Sequence, residues 1–521
     1  MLFMILRCSL VWLVEPFCDD CAGPFKRYMG KVVSSFELSL NHRSADQTLA
    51  DWLYRELRAA ILDGRLKPNV KLPASRDFAR RYKVSRGTVV GAFERLQDEG
   101  YISSRVGAGT RVNAKVRPDQ SSRRTPHQFP EYLRRITAEY RKPKPFVNWL
   151  KFPGNPPFGM RTPALREFPA ELWGRIMARR AHTLRSWLLE DQKKDDGGAG
   201  YLPLREAIAH YLGSSRGVSC SAQQVAIVSG TQEALDLLAR LLLKPGDSVW
   251  MEDPGYFGAT IAFQGARAKI IPVPVDGEGL SISAGVKACA NAMGAYLTPA
   301  HQFPLGMAMS LKRRIEILEW AARTGSFIIE DDYDSEFQFK GLPAPALQSL
   351  DRNSSVIFVG TFTKLLFPSL RIGYIVLPPS LVEIFVSFRR GSELRASGLE
   401  QTVLCDFIVD GHFGRHLRKM RDLYGQRLEA LLHFGRKYMS GLLDLSDTKA
   451  GLYVAAFLAN GMTSHEAESI AATNGIETRA LERFTLQRHD PKGVLLGFAA
   501  FDEKAIRAGI TQLAAALSRP R

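Results

Sequence analysis

The feature that most constrains the fold of this chain is a repeated alternation of short apolar strands and amphipathic helices between residues 224 and 378. Apolar runs such as QVAIVSG, DSVWMED and SFIIEDDY have the length of buried strands, whereas SLKRRIEILEWAARTG and TQEALDLLARLLLKPG, which would end at Gly246, have helical spacing. Strands that alternate with helices predict an α/β fold with a mostly parallel sheet covered by helices. We expect this sheet to organise residues 152–521.

Chemically distinctive side chains follow the ends of four of these strands. Ligands of open α/β sheets collect at the carboxyl ends of the strands, so we expect these side chains to share one site. They are Gly230, Thr231 and Gln232, then Tyr256, then Asp331 and Tyr333, and finally Thr361, Thr363, Lys364 and Arg371.

The last group lies in the stretch GTFTKLLFPSLRIGY, which combines a lysine with a potential phosphate clamp. A lysine after a strand is often only a solvated loop residue, but Lys364 could instead attack an aldehyde cofactor as a Schiff-base lysine. Arg371 has the planar fork that binds oxyanions, and Thr361 and Thr363 add hydroxyl donors. An aldehyde cofactor that carries a phosphate is pyridoxal 5′-phosphate (PLP), and the hypothesis depends on the other strand ends.

The other strand ends supply what PLP needs. The helix that begins at Thr231 offers free N–H groups to a phosphate, and Tyr256 could stack on the ring. Asp331 could pair with the pyridine nitrogen, which makes the ring an electron sink, and Tyr333 could hydrogen-bond the phenolic oxygen. An acidic strand end alone more often binds a metal or caps a helix, but the four elements in this order favour PLP.

Basic residues are concentrated in a module near the N-terminus. Residues 45–151 contain 23 Lys and Arg against 11 Asp and Glu, which accounts for +12 of the net charge of +17. The long C-terminal part is nearly balanced. A basic module joined to a nearly neutral domain indicates a polyanionic partner, either nucleic acid or an anionic membrane surface.

The pattern within this module favours DNA. TLADWLYRELRAAILDGRL has helical spacing and would stop at Gly64, and PASRDFARRYKVSRGTVVGAFERLQDEGY holds two short helices around a tight KV corner. Ser75 and Ser85 are the predicted N-caps of these short helices. YISSRVGAGTRV alternates around a glycine-rich tip and predicts a β-hairpin. Three helices and a hairpin predict a winged helix-turn-helix that binds double-stranded DNA.

Candidate DNA contacts lie at the starts of the short helices and on the wing. Arg86 and Thr88 would face base edges or adjacent phosphates in the major groove, and the wing arginines would reach the backbone or the minor groove. Two interpretations of Arg76 are equally supported: it contacts a phosphate, or it lies on a solvated helix face. The predicted DNA-binding residues are Ser75, Arg76, Ser85, Arg86, Thr88, Arg105 and Arg111.

The remaining segments carry weaker signals. Residues 115–151 contain five prolines and ten Lys or Arg against three acids, which predicts an extended linker. This linker either follows the DNA backbone or only connects the two domains. Residues 1–35 are an extension of uncertain role, for which translation from Met29 is one hypothesis. Six scattered cysteines predict neither a disulfide framework nor a metal site. No apolar run has transmembrane length, so we expect a cytoplasmic protein.

Two sets of motifs resemble known families. LRAAILDGRL, LPASRDFARRYKVSRGTVVGAFERLQDEGYI and RVGAGTRV resemble the GntR-type winged-helix domain, here expected at residues 36–114, with Asn69 in place of the usual glycine. GAGYLPLREAIAHYL, GTQEALDLL, EDPGYFGA, IIEDDYDSEFQF and GTFTKLLFPSLRIGYIVLP look like fold-type I aminotransferases, here expected at residues 152–521. The fused order, over roughly residues 36–515, is similar to the MocR subfamily of GntR regulators.

This resemblance implies a function and an assembly. Lys364 would hold PLP as a Schiff base, and the chain would be a PLP-dependent transcriptional regulator that senses PLP, an amine or an amino acid. A head-to-tail homodimer is implied as well. The alternative is a working aminotransferase with an accessory DNA-binding module, in which case any regulatory role would be secondary.

Two departures from transaminases bear on that alternative. The loop HQFP has Gln302 or Phe303 where transaminases of this fold usually have the Asn of an Asn-Pro pair. The strand GVLLGFAAF lacks the arginine that usually holds the substrate carboxylate, and only Arg479, Arg483 or Arg488 upstream could replace it. We therefore expect a regulator with at most weak transaminase activity.

Overall fold

The computed structural model describes residues 38, 47–105, 109–114, 156–160, 162–183, 198–339, 341, 345–392, 396–459, 461–488 and 490–518. The chain divides into two compact units, Met1–Lys144 and Pro145–Arg521, which are described separately. The predicted linker at 115–151 and the extension at 1–35 lie outside the described residues. Within the described residues, no helix is long and apolar enough to cross a membrane.

The N-terminal unit is a winged helix-turn-helix. Its elements are α1 (Leu49–Leu62), α2 (Ser75–Tyr82), α3 (Arg86–Asp98), β1 (Ile102–Arg105) and β2 (Gly109–Val112). The two strands pair antiparallel as the wing, with Ile102 opposite Val112. One apolar cluster holds the helices together, because Leu53, Leu57 and Phe78 pack there without measurable exposure.

The turns of this unit match the sequence except at one cap. Gly64 follows the C-cap of α1 with φ 76°, and Asn69 adopts the left-handed φ of 66° that asparagine tolerates. The prediction that Ser75 caps α2 is wrong: the N-cap is Ala74, which still has an extended ψ of 146°, and Ser75 is already helical. Ser85 does cap α3, because its side chain accepts a hydrogen bond from the Thr88 N–H.

The C-terminal unit is an α/β domain followed by a smaller sheet. Its strands are β3 (Val225–Val228), β4 (Ser248–Asp253), β5 (Lys269–Asp276), β6 (Gly279–Leu280), β7 (Gly294–Leu297), β8 (Phe327–Asp332), β9 (Val356–Thr361), β10 (Gly373–Val376), β11 (Leu443–Leu445), β12 (Tyr453–Leu458), β13 (Arg479–Ala480) and β14 (Gly493–Gly497). Its helices are α4 (Ala170–His182), α5 (Leu202–Arg216), α6 (Thr231–Leu242), α7 (Phe257–Gly265), α8 (Ile282–Cys289), α9 (Leu311–Thr324), α10 (Leu347–Leu350), α11 (Val382–Ser392), α12 (Gly398–Val409), α13 (His412–Tyr438), α14 (Ser464–Thr473) and α15 (Glu503–Leu517).

The large sheet has the order β3-β10-β9-β8-β7-β4-β5-β6. Strands β9, β8, β7, β4 and β5 are parallel, whereas β10 and β6 pair antiparallel with their neighbours. The residues of β3, β7, β9 and β10 are buried throughout, as expected for strands covered on both faces. The mostly parallel sheet predicted from the sequence is confirmed.

Two further features position the site. Helix α6 ends at Leu242 rather than at Gly246, because Lys244 precedes Pro245 and is disfavoured in helical conformation. The second sheet, ordered β11-β12-β14-β13, is antiparallel. It lies in the same unit as the large sheet, and Tyr453 at the start of β12 reaches the polar end of β8.

Candidate functional site

A cavity of about 300 Å³ lies at the carboxyl ends of β3, β8 and β9. All ten residues that the sequence proposed for a cofactor contribute to its lining. They are Gly230, Thr231, Gln232, Tyr256, Asp331, Tyr333, Thr361, Thr363, Lys364 and Arg371. The structure therefore brings these side chains together, and their individual roles remain predictions.

Asp331, near the end of β8, is a buried acid with one oxygen engaged. Its Oδ2 accepts a hydrogen bond of 2.7 Å from the Tyr296 hydroxyl on the neighbouring strand β7. Its Oδ1 has no hydrogen-bond partner among the described residues. Burial raises the pKa of Asp331 to about 7, although the hydrogen bond from Tyr296 lowers this pKa in part. A cationic N–H placed in the cavity would satisfy this oxygen and restore the charged form.

A second end of the cavity is built from backbone. Gly230, with φ 139°, is the N-cap of α6, so the first N–H groups of this helix begin beside the cavity at Thr231. Gly373 lies so close that an added Cβ would come within 3.1 Å of the Gly230 Cα. Arg371 adopts a left-handed φ of 48° and is exposed at the rim. A helix N-terminus with an arginine beside it is suited to a phosphate.

Lys364 follows β9, the strand next to β8. Its Nζ lies 3.5 Å from the carbonyl oxygen of Met160, and the side chain is half-buried. The register pairs Asp331 with Val359, so β8 and β9 end together at the cavity. Just before the lysine, the Thr363 N–H donates to the Thr361 hydroxyl oxygen at 3.1 Å. The lysine and the buried carboxylate therefore face one space from adjacent strands.

The aromatic wall of the cavity includes Tyr256 and Phe303. Their rings meet edge to face with centroids 5.9 Å apart, and burial raises the pKa of Tyr256 to about 12. Gln302 does not belong to the described cavity lining, and its side-chain Nε2 donates to the carbonyls of Pro254 and Phe303. Neither residue at the usual asparagine position thus offers an amide to the cavity, since Phe303 contributes only a ring.

The sequence did not reveal the polar cluster behind Tyr333. The Tyr333 hydroxyl donates to the His301 carbonyl at 2.9 Å and lies 2.8 Å from the Tyr453 hydroxyl. The His301 Nδ1 lies 2.9 Å from Asp334 Oδ1, with both side chains 1% exposed. Tyr333, Asp334 and Tyr453 line the cavity, whereas His301 lies behind them. The signals in the sequence were His301 in HQFP and Asp334 in the acidic run EDDYDSE, but their pairing depends on the fold.

The three arginines considered as carboxylate anchors have other partners. Arg479 pairs with Glu477 at 2.8 Å and with Glu468 at 3.6 Å. Arg483 also pairs with Glu468, at 2.6 Å, whereas Arg488 pairs with Asp490 and donates to the Val275 carbonyl. None of the three belongs to the described lining of the cavity. The structure therefore does not support any of them as a replacement.

The candidate DNA interface occupies the surface of the first unit. Arg76, Ser85, Arg86 and Arg111 are exposed, and Ser75 and Thr88 are half-buried at the starts of their helices. Arg111 donates to the Asn69 carbonyl at 2.9 Å, which fixes the loop before α2 against the wing. Arg105 ends β1, and its side chain lies outside the described part of the chain.

Comparison with known proteins agrees with this geometry. The model of bacterial regulatory proteins of the gntR family matches residues 49–112, and that of aminotransferase class I and II matches residues 197–477. The probable rhizopine catabolism regulatory protein MocR of Rhizobium meliloti is 37% identical over 91% of this chain and 94% of its own length. The chain belongs to the MocR subfamily of GntR regulators.

MocR-type relatives and solved aminotransferases extend this assignment. The pyridoxine biosynthesis regulator PdxR of Corynebacterium glutamicum is 27% identical over 89% of this chain and 95% of its own. LysN, an α-aminoadipate aminotransferase of Thermus thermophilus solved with N-(5′-phosphopyridoxyl)-L-leucine, superimposes with a TM-score of 0.66, 26% identity and coverage of 73% of this chain and 96% of its own. The chain is thus a DNA-binding transcriptional regulator with a large domain of the PLP-dependent aminotransferase fold.

The residues of the cavity fit PLP. The unpartnered Asp331 Oδ1 is suited to a protonated pyridine nitrogen, and the start of α6 with Arg371 is suited to the phosphate. Lys364 faces the same space. Among the described residues, no group of His, Cys, Asp and Glu could hold a metal ion.

Proposed function

We propose that this cavity binds PLP and that occupancy of the cavity controls DNA binding by the winged helix. When bound, PLP supplies an aldehyde that traps amines and an electron-withdrawing ring. Lys364 would hold it covalently, Asp331 would pair with the ring nitrogen, and Tyr256 would cover the ring face. The residues proposed for the phosphate are Gly230, Thr231, Gln232, Thr361, Thr363 and Arg371.

The observation that carries this proposal is that Asp331, which lines the cavity, has a buried Oδ1 without a hydrogen-bond partner among the described residues. A buried carboxylate oxygen without a hydrogen bond is costly, so a cationic partner is expected to be part of the functional state. PLP carries such a partner in its pyridinium group. The lysine on the adjacent strand supplies the covalent anchor that this ligand takes.

Regulation would follow from a difference in affinity. PLP alone, or PLP together with an amine or amino acid, would bind one conformation of a homodimer more tightly and so shift its affinity for an operator. A head-to-tail arrangement and a location in the cytoplasm are part of this proposal. Efficient transamination is not favoured, because Arg479, Arg483 and Arg488 are engaged in other contacts.

The test is an absorption spectrum of the purified chain with PLP, before and after borohydride reduction, with mass mapping of the modified peptide. We expect a band that reduction fixes onto Lys364, and its loss in Lys364→Ala. Lys312→Ala, at an exposed lysine of α9, is the matched control and should keep the band. An absorption band in Lys364→Ala, with the reduced PLP adduct mapped to another residue, would contradict the assignment.

The regulatory part is tested separately with DNA. A fragment selected by the protein from a random pool is titrated with and without PLP, and then with PLP and a panel of amines and amino acids. We expect affinity to change with cavity occupancy in the wild type but not in Lys364→Ala. Equal affinities under all conditions would leave a PLP-binding protein without this control.

A further inference from the structure

The cavity carries more acids than expected for a site that holds a phosphate. Its described lining contains three acids and two basic residues, namely Asp331, Asp334, Glu233, Lys364 and Arg371. Asp331 is assigned to the pyridine nitrogen, and Asp334 lies 2.9 Å from the Nδ1 of His301. Glu233 is the acid that remains, and a carboxylate near a phosphate weakens binding by repulsion unless a cation compensates its charge.

Glu233 shapes the turn that is assigned to the phosphate. It is the third residue of α6, and Ser229 and Glu233 both line the cavity. The Oε2 of Glu233 accepts a hydrogen bond of 2.7 Å from the Ser229 N–H, on the other side of the N-cap Gly230. The carboxylate therefore fixes the backbone between β3 and α6, but it also adds a negative charge beside the N–H groups that the phosphate would use.

Arg389 of α11 compensates this charge from behind the cavity. Its Nη2 lies 3.4 Å from the Oε1 of Glu233, and the two side chains are only 2% and 10% exposed. Arg389 does not belong to the described cavity lining. The ion pair therefore neutralises Glu233 without drawing on Lys364 or Arg371, the two basic residues that the cofactor is expected to use.

The same guanidinium also holds the chain before the turn. Its Nη1 donates to the Gly198 carbonyl at 2.9 Å. The next carbonyl, that of Ala199, accepts the N–H of Ile227 in β3 at 2.8 Å. Arg389 thus connects α11 both to a segment bonded to β3 and to the first turn of α6. Loss of the guanidinium would leave the Glu233 carboxylate buried without this cation.

From these contacts we propose that Arg389 is a positioning residue for the cofactor phosphate, which acts through Glu233 by compensating its charge and fixing the turn at residues 229–231. This inference rests on the proposed function of the cavity. Because Arg389 acts on the phosphate region, its effect depends on whether the ligand carries a phosphate. Pyridoxal has the aldehyde and the ring of PLP but no phosphate, so its binding should not depend on Arg389.

The first experiment compares Arg389→Met with wild type in the full chain, with PLP and pyridoxal as separate ligands. Each ligand is titrated and followed by the absorbance of its adduct on Lys364. We expect the dissociation constant of PLP to rise about tenfold and that of pyridoxal to change less than about twofold. Arg240→Met removes an arginine in the last turn of α6, where it pairs with Asp236, and is the matched control that should change neither.

A second variant separates charge from packing. In the double variant Arg389→Met with Glu233→Gln, the glutamine keeps an oxygen that can accept the Ser229 N–H but has no charge. We expect its PLP affinity to return to within about threefold of wild type, because the repulsion is gone. PLP binding as weak as in Arg389→Met alone would overturn the role in charge compensation.

Two milder variants keep the test decisive if Arg389→Met does not fold. Arg389→Lys keeps the cation, and Glu233→Gln alone removes the charge that needs it. We expect neither variant to weaken PLP binding more than about threefold relative to pyridoxal. A selective loss of PLP affinity in Glu233→Gln would overturn the proposal, because it would show that the phosphate does not require a neutralised Glu233.

The outcomes separate this inference from the proposed function. If neither PLP nor pyridoxal labels Lys364 in wild type, the proposed function fails and this inference fails with it. If both ligands label wild type and Arg389→Met weakens them equally, Arg389 acts only on the structure of the domain, and this inference alone is overturned. Wild-type affinities for both ligands in Arg389→Met would overturn it as well.

Discussion

The two units of this chain place their functional polar groups in opposite environments. In the winged helix, Ser85 and Arg86 are exposed, so a partner molecule can reach them from solvent. In the large domain, Asp331 and Asp334 are buried and are held by side chains from other strands and loops. The exposed interface depends on a surface helix that is positioned by local capping. The buried site depends on long-range packing, and this difference determines which substitutions affect each function.

The largest effect that would sharpen this comparison is expected at Gly451. Gly451→Ala forces a side chain into a φ of 88° and against the His301 ring, so we expect the large domain to lose about 3 kcal/mol of stability. Urea unfolding of the full chain, followed separately by probes in each unit, measures the loss.

The matched control for Gly451 is Gly475→Ala. Gly475 has a similar φ of 72° but open space around the added methyl, so only the backbone strain of about 1 kcal/mol should remain. The unfolding of the winged helix should be unchanged in both variants. Equal losses at Gly451 and Gly475 would show that His301 is not tightly held.

The next effect concerns the buried acid. Asp331→Ala removes the carboxylate that would face the pyridine nitrogen, and we expect PLP to bind about 30-fold more weakly, from about 2 kcal/mol for a hydrogen bond between charged groups. Asp444→Ala, at an exposed acid of β11, should leave the affinity unchanged. PLP titration monitored by absorbance measures the affinity of each variant. If Asp331→Ala binds PLP as tightly as wild type does, the ring nitrogen does not pair with Asp331.

A substitution in the exposed interface should leave PLP uptake by the cavity unchanged. Arg86→Ala removes a cation at the start of the recognition helix, and we expect specific DNA affinity to fall about tenfold with PLP uptake unchanged. Arg55→Ala removes the same charge from α1, where the arginine pairs with Asp51, and should have a smaller effect. Fluorescence anisotropy at fixed salt measures both, and equal losses would indicate that Arg86 acts only through its charge.

The sequence predicted the residues of the cavity better than their contacts. The ten predicted lining residues lie at or after the ends of strands, and parallel strands bring such residues to one edge of the sheet. Tyr453 was missed because it is 120 positions from Tyr333, and their meeting depends on how the small sheet packs in the unit. The end of α6 was wrong by a few residues because Pro245 stops the helix before the glycine. Site residues at strand ends can be predicted from the sequence, whereas hydrogen bonds between distant positions can be identified only from the folded structure.

The smallest predicted effect tests the N-cap of α2, which the sequence placed wrongly. Ser85 accepts the Thr88 N–H at 3.1 Å, so Ser85→Ala should cost α3 about 1 kcal/mol. Ser75 is already inside α2 and makes no cap, so Ser75→Ala should change stability by only a few tenths of a kcal/mol. Hydrogen exchange of the peptides that span each helix start, in the full chain, resolves the two. Since both serines are candidate phosphate contacts, a loss of DNA affinity in Ser75→Ala without loss of protection would assign it to the interface, whereas equal deprotection in both variants would mean that Ser75 does cap its helix in solution.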